Sequence, residues 1–67
     1  MNAELNRKIY KVGMTVELIE MDDIQAPAPH TRGRIMFVDG IGQIHVLWDN
    51  GSTLALNTDY DEFIILH

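Results

Sequence analysis

Residues 44–56, IHVLWDNGSTLAL, constrain the fold of this chain more than any other stretch. Apolar residues alternate on both sides of Asp49-Asn50-Gly51, so two strands meet at a tight turn. Two turn lengths are open, and they give opposite cores. A two-residue turn at Asn50-Gly51 pairs Asp49 with Ser52, Trp48 with Thr53 and Val46 with Ala55. Leu54 and Leu56 then join His45 and Leu47, and the apolar side chains are split across both faces. A three-residue loop, a type I turn closed by Gly51 in the left-handed region, pairs Trp48 with Ser52, Val46 with Leu54 and Ile44 with Leu56. All five large apolar residues then share one face, and His45, Leu47, Thr53 and Ala55 share the other. A one-residue slip flips every side chain, so burial selects the longer loop. It requires a positive φ at Gly51 and not at Asn50, and it gives Asp49 and Asn50 a structural job that needs no ligand.

The rest of the chain supplies three further strands. Met14–Glu20 alternates, with Met14, Val16 and Leu18 on one side and Thr15, Glu17 and Ile19 on the other. Asp22–Thr31 is a loop. Pro27 and Pro29 lack the ladder N–H and push the alanines before them toward extended backbone. Arg32–Asp39 is a strand whose alternation fails at Ile35-Met36-Phe37-Val38, as expected of burial on both faces or of a bulge. The turn Asp39–Gly42 follows, then strands at Gln43–Trp48 and Ser52–Leu56, a polar connection at Asn57–Glu62 and a strand at Phe63–Leu66. Ahead of all this, Ala3–Tyr10 suits a short helix capped by Asn2, with Leu5 and Ile9 on one face and Glu4 four residues before Lys8. Two turns need tertiary packing to persist.

Five short strands with tight turns predict a mainly β fold, a small five-stranded SH3-like barrel over residues 13–67 with residues 1–12 as helix or extension. An open five-stranded sheet covered by the helix is the alternative. The expected core is Met14, Val16, Leu18, Ile35, Ile44, Val46, Trp48, Leu54, Leu56, Phe63 and Ile65. Trp48, inward at the far end of its strand, is expected to cap this core rather than to serve as a ligand platform.

Size and charge narrow the function classes. The chain has 67 residues, no cysteine and a formal net charge of −5. A domain this small buries only about 60% of its unfolded surface and has no room for a deep enzyme cavity. Disulfides and thiolate metal ligands are excluded. Neither an apolar leader region nor a bilayer-length apolar run appears, so a cytoplasmic location without membrane association is expected. Nucleic-acid binders usually show a basic face. Here Arg7, Lys8 and Lys11 are basic, but Glu17, Glu20, Asp22 and Asp23 form one acidic stretch and Asp59, Asp61 and Glu62 another. Nucleic-acid binding is therefore unfavoured.

The stretches VGMTVELIEMDD, APAP, VDGIGQIHVLWDNGSTLAL and DEF resemble the bacterial family called domain of unknown function 4314 over residues 12–66. The resemblance implies an SH3-like fold, an origin in Gram-positive bacteria or their phages and mobile elements, and no established activity. The sequence departs from the family pattern at His30, where a glycine is expected before Thr31-Arg32-Gly33, so the turn there is expected to differ. HVLWDNGS also resembles a hairpin of Mind-bomb-type SH3-like repeats, which bind peptides.

Catalytic and metal chemistry find little footing. His30, His45 and His67 fall in a loop, on an outward strand face and at the last position, without metal-ligand spacing. Ser52, the only serine, sits at a hairpin exit that already explains it. Asp59-Tyr60-Asp61-Glu62 lacks the ligand number and central glycine of a calcium loop. The glycines at 40 and 42 precede neither a lysine nor a helix, as a phosphate loop requires. No enzyme activity, no metal and no cofactor are expected. The favoured function is a protein- or peptide-interaction module, monomeric or weakly dimeric, with an unidentified partner for which the carboxylates favour a basic segment. The alternatives are a nucleic-acid-associated accessory and an acidic nucleic-acid mimic. The loops Asp22–Thr31 and Asp39–Gly42 and the turn Thr58–Asp61 are expected at one end of the domain, gathering Asp22, Asp23, Pro27, Pro29 and Tyr60 into a partner surface.

Overall fold

A computed structural model describes residues 2–66. Helix α1 spans Ala3–Ile9, and five strands follow: β1 Thr15–Glu20, β2 Arg32–Val38, β3 Ile44–Trp48, β4 Ala55–Leu56 and β5 Glu62–Leu66. All pairings are antiparallel, in one sheet of order β4-β3-β2-β1-β5. The hairpin takes the longer loop. Ile44 pairs with Leu56 and His45 with Ala55. The Trp48 N–H donates to the Ser52 carbonyl, and the Gly51 N–H to the Trp48 carbonyl, both at 2.9 Å. Gly51 has φ 88°, and Asn50 is not among the positive-φ residues.

The regular part of β4 is shorter than the alternation predicts, because side chains take over its first three residues. The Leu54 carbonyl accepts the Trp48 indole N–H at 2.9 Å, and the Leu54 N–H donates to Ser52 Oγ at 3.3 Å. Trp48 is thus anchored from within the core, where it is fully buried.

Val16, Leu18, Ile35, Ile44, Val46, Trp48 and Leu56 form that core, with Tyr10, Met14, Met21, Val38, Phe63 and Ile65 packed around it. Leu54 is half-buried. A flat sheet with one seven-residue helix beside it would leave these side chains wet, so the sheet curls over its own inner face. Bulges assist the curl, since they bend a strand and raise its twist. One falls in β2 between Ile35 and Phe37, where alternation fails in the sequence, and another in β1 between Leu18 and Glu20. Gly33 lets β2 approach β3. A β-carbon there would lie 2.6 Å from Val46 Cγ1 and 2.7 Å from the Leu47 carbonyl oxygen.

The helix docks differently from the expectation. Asn2 caps it, its side-chain oxygen accepting the Leu5 N–H at 2.9 Å. However, Leu5 and Ile9 are nearly half exposed, and the buried residue is Asn6. Its amide donates to the Gly42 carbonyl at 2.9 Å and to Thr58 Oγ1 at 3.3 Å. Ala3 sits so close over Gly42 that a β-carbon there would be 2.8 Å from Ala3 Cα. Such close backbone contact favours small and polar side chains over Leu5 and Ile9. The helix therefore ties the 39–42 turn to the 57–61 turn. It is far too short to cross a membrane, and no helix among the described residues is long and apolar enough to do so.

Candidate functional site

The acidic loop after β1 and the turn before β5 meet at a concavity of about 320 Å³, lined by Met21, Asp22, Asp23, Gln43, Ala55, Asn57, Tyr60 and Asp61. Each wall is fixed by local hydrogen bonds. Asp23 Oδ1 accepts the Gln25 N–H at 2.7 Å, and the Asp23 carbonyl accepts the Ala26 N–H at 3.0 Å. Asp and Asn favour such side-chain-closed turns. Across the gap, Asn57 and Asp61 clasp each other. The Asn57 N–H donates to Asp61 Oδ2 and the Asp61 N–H to the Asn57 carbonyl, both at 2.8 Å. The Asn57 side chain also accepts the Asp59 N–H at 2.9 Å. Tyr60 rides on this clasp with 81% of its surface exposed and no side-chain hydrogen bond among the described residues.

Of the five residues expected at a partner surface, the structure gathers three: Asp22, Asp23 and Tyr60. Pro27 and Pro29 do not line the concavity. Pro27 is buried and Pro29 is exposed on the same loop. The turn Asp39–Gly42 is diverted as well, because α1 occupies it. Arg7 Nη1 donates to the Asp39 carbonyl at 3.1 Å, and Asn6 holds Gly42. Only the neighbouring Gln43 reaches the concavity. Asn57 and Asp61 belong to the site although sequence reasoning passes over them. Their four-residue spacing across a polar turn is the signal that points to them.

A second concavity, of about 210 Å³, is lined by Arg7, Tyr10, Lys11, Val12, Phe37 and Val38. Arg7, in the last turn of α1, and Lys11, just beyond its end, are its only charged lining residues. The basic residues are divided: Arg7 and Lys11 are here, whereas Arg32 Nε donates to Glu17 Oε1 at 3.2 Å on the outer face of the sheet.

Two polar clusters shift carboxyl groups. Glu17 is held below its ordinary range by its hydrogen bond to His30, at 3.2 Å, and then by Arg32. Asp39 is held below its ordinary range first by His45 Nε2, 2.7 Å from its Oδ2, and then by the Gln43 and Ile41 N–H groups on Oδ1. The β2 bulge turns Phe37 outward, where its ring stacks on His45 at 4.2 Å. His30 stands where a glycine is expected, and its backbone takes the left-handed conformation that glycine favours. Its φ is 74°, the one positive value at a non-glycine residue among those described. Both clusters are satisfied within the chain and brace turns. Among the described residues no three His, Cys, Asp or Glu side chains are placed to hold a metal ion, and His67 lies outside the described residues.

One family matches the sequence, described as "Domain of unknown function (DUF4314)", over residues 2–66. No curated protein and no solved structure matches.

Proposed function

The chain belongs to the DUF4314 family, whose description assigns no activity, and from its surface chemistry we propose that it is a protein- or peptide-binding module of the SH3-like kind. Its binding surface is the concavity between the β1–β2 loop and the β4–β5 turn. The observation that carries this reading is Tyr60, a large amphipathic side chain left exposed on a turn that Asn57 and Asp61 hold rigid. Tyrosine adds contact area at small entropic cost, and a rigid support lowers the cost of binding further. Asp22, Asp23 and Asp61 around it favour a basic segment and speed its approach. The connectivity also suits the reading. An antiparallel sheet that returns its last strand beside its first, with a polar turn before it, is what an SH3-like module needs. The division of the basic residues counts against a nucleic-acid-binding face, as does the net charge.

Capture of partners from a bacterial lysate on the immobilised chain, repeated with two variants, tests the proposal. Tyr60→Ala and Asp22→Lys should each weaken capture of the same partner at least tenfold while circular dichroism stays unchanged. Raised salt should weaken the native complex more than that of Asp22→Lys. Capture that survives both substitutions refutes the site.

A further inference from the structure

Strand β5 is an end strand of the sheet, and among the described residues no strand pairs with its outer side. The direction of its hydrogen bonds follows from β1. The Leu18 N–H donates to the Thr31 carbonyl, the Leu18 carbonyl accepts the His30 N–H, and the Met14 carbonyl accepts the Ile35 N–H. Met14, Val16 and Leu18 thus direct their backbone groups to β2, and Thr15 and Glu17, before the bulge, direct theirs to β5. Thr15 pairs with Leu66 and Glu17 with Ile64. By alternation, Phe63 and Ile65 direct their N–H and C=O groups away from β1. Among the described residues none of these four groups has a backbone partner.

Natural edge strands carry lysine, proline, inward charges or bulges that discourage pairing. Glu62-Phe63-Ile64-Ile65-Leu66 carries one glutamate at its start and four apolar residues, with Ile64 45% exposed on the outer face.

We infer that two copies of this chain associate by antiparallel pairing of β5 with β5, centred on residue 64. The composition of the strand selects a second copy as the occupant: exposed Ile64 lies at its centre, and its single charge, Glu62, lies at one end, so two antiparallel copies bring apolar side chains together and keep like charges apart. Pairing about residue 64 matches all five residues. It sets Phe63 opposite Ile65 as hydrogen-bonded pairs, which uses all four open backbone groups of each copy. Ile64 meets Ile64 at the close, non-hydrogen-bonded position on the outer face, flanked by Leu66 of each copy. Glu62 falls opposite Leu66. The two Glu62 side chains then lie at opposite ends of the ladder, about 13 Å apart at ~3.3 Å per residue, beyond a Debye length of about 8 Å. Pairing centred on residue 63 or 65 keeps the hydrogen-bond alternation but leaves strand residues unmatched. A contact of five residues a side falls below the ~1,200 Å² of standard interfaces, so the dimer is weak, with a Kd of roughly 10 μM to 1 mM. The surface is separate from the concavity of the proposed function, and either can stand without the other.

Amide hydrogen exchange by NMR at several chain concentrations, with sedimentation velocity alongside, tests the inference. Ile64 and Leu66 amides, bonded to β1, should be protected at every concentration. Phe63 and Ile65 amides should become protected only as the mass doubles. Raising the concentration from one to a hundred times Kd lowers the monomer fraction about sevenfold, and their exchange should slow by the same factor. Ile64→Lys should return the chain to a monomer with an unchanged fold. Should that variant unfold, the exchange pattern of the native chain still decides. A monomeric mass up to about 1 mM chain overturns the inference. So does a dimer in which Phe63 and Ile65 exchange independently of concentration, or one that persists in folded Ile64→Lys.

Discussion

Replacing Trp48 by alanine removes the largest side chain of the core and the donor that holds the Leu54 carbonyl. A fully buried tryptophan hides up to ~250 Å² of surface, about 6 kcal/mol at 25 cal/mol per Å² as an upper bound. Measured truncations of this kind cost about 3–5 kcal/mol. The carbonyl left without its partner adds about 1–3 kcal/mol where water cannot reach it. A domain of this size holds only about 3–5 kcal/mol in all. Trp48→Ala should therefore be largely unfolded at room temperature. Trp48→Phe separates the contributions, because it keeps a buried ring and loses the indole N–H. It should stay folded and lose about 2–3 kcal/mol, which lowers the urea midpoint by about 2 M at a slope near 1 kcal/mol/M. Far-UV circular dichroism against urea suits both variants, since each lacks the chain's only tryptophan and gives no indole fluorescence signal. A Trp48→Ala chain that keeps the native midpoint refutes the reasoning. Trp48 would then be a surface residue, and the inner-face assignment of β3 would fall with it.

Gly33→Ala should cost at least 1–3 kcal/mol by urea denaturation, because the new methyl meets the Leu47 carbonyl as well as the more flexible Val46 side chain. His30→Gly should be neutral or stabilising by up to about 1 kcal/mol, as relief of the left-handed backbone offsets the lost contact with Glu17, whereas β-branched His30→Val should destabilise by about 1–2 kcal/mol. The carboxyls of Asp39 and Glu17 lie lower in the folded than in the unfolded chain, so their stabilisation is complete above the ordinary carboxyl values near pH 4 and is lost as pH falls through the lowered ones. Thermal midpoints of the native chain should therefore drop below about pH 4.5, and less steeply in Asp39→Asn; an equal slope in the two would show that Asp39 contributes nothing to the acid sensitivity.

The alternation around Asp49-Asn50-Gly51 makes most of the core legible from sequence, because period-two burial and a glycine-closed loop leave one consistent register. Among the described residues, all seven fully buried hydrophobic ones belong to the core expected from sequence. Four consecutive apolar residues in β2 allow either burial on both faces or a bulge, and the structure shows the bulge. Phe37 turns outward because the extra residue of the bulge moves the next inward position from 37 to 38, and His45 is there to cover its ring. The buried face of the helix is not legible. Periodicity favours Leu5 and Ile9, but the backbone contact at Gly42 and the acceptors at Gly42 and Thr58 select Asn6, and those acceptors lie 36 and 52 residues away in sequence. The same docking diverts the 39–42 turn from the partner surface. Prolines suit surface loops, which favours an exposed Pro27; its burial is a tertiary feature that no local pattern encodes.

The concavity between the β1–β2 loop and the β4–β5 turn, as the place where this domain meets its partner, is tested most directly by titration. The isotope-labelled chain is titrated with the captured partner and followed residue by residue in NMR amide spectra. The largest shifts should fall on Asp22, Asp23, Gln43, Asn57, Tyr60 and Asp61, and they should shrink as salt rises. Shifts concentrated instead on Arg7, Tyr10, Lys11, Val12 and Phe37, or on the outward strip of His45, Leu47, Thr53 and Ala55, would contradict that placement.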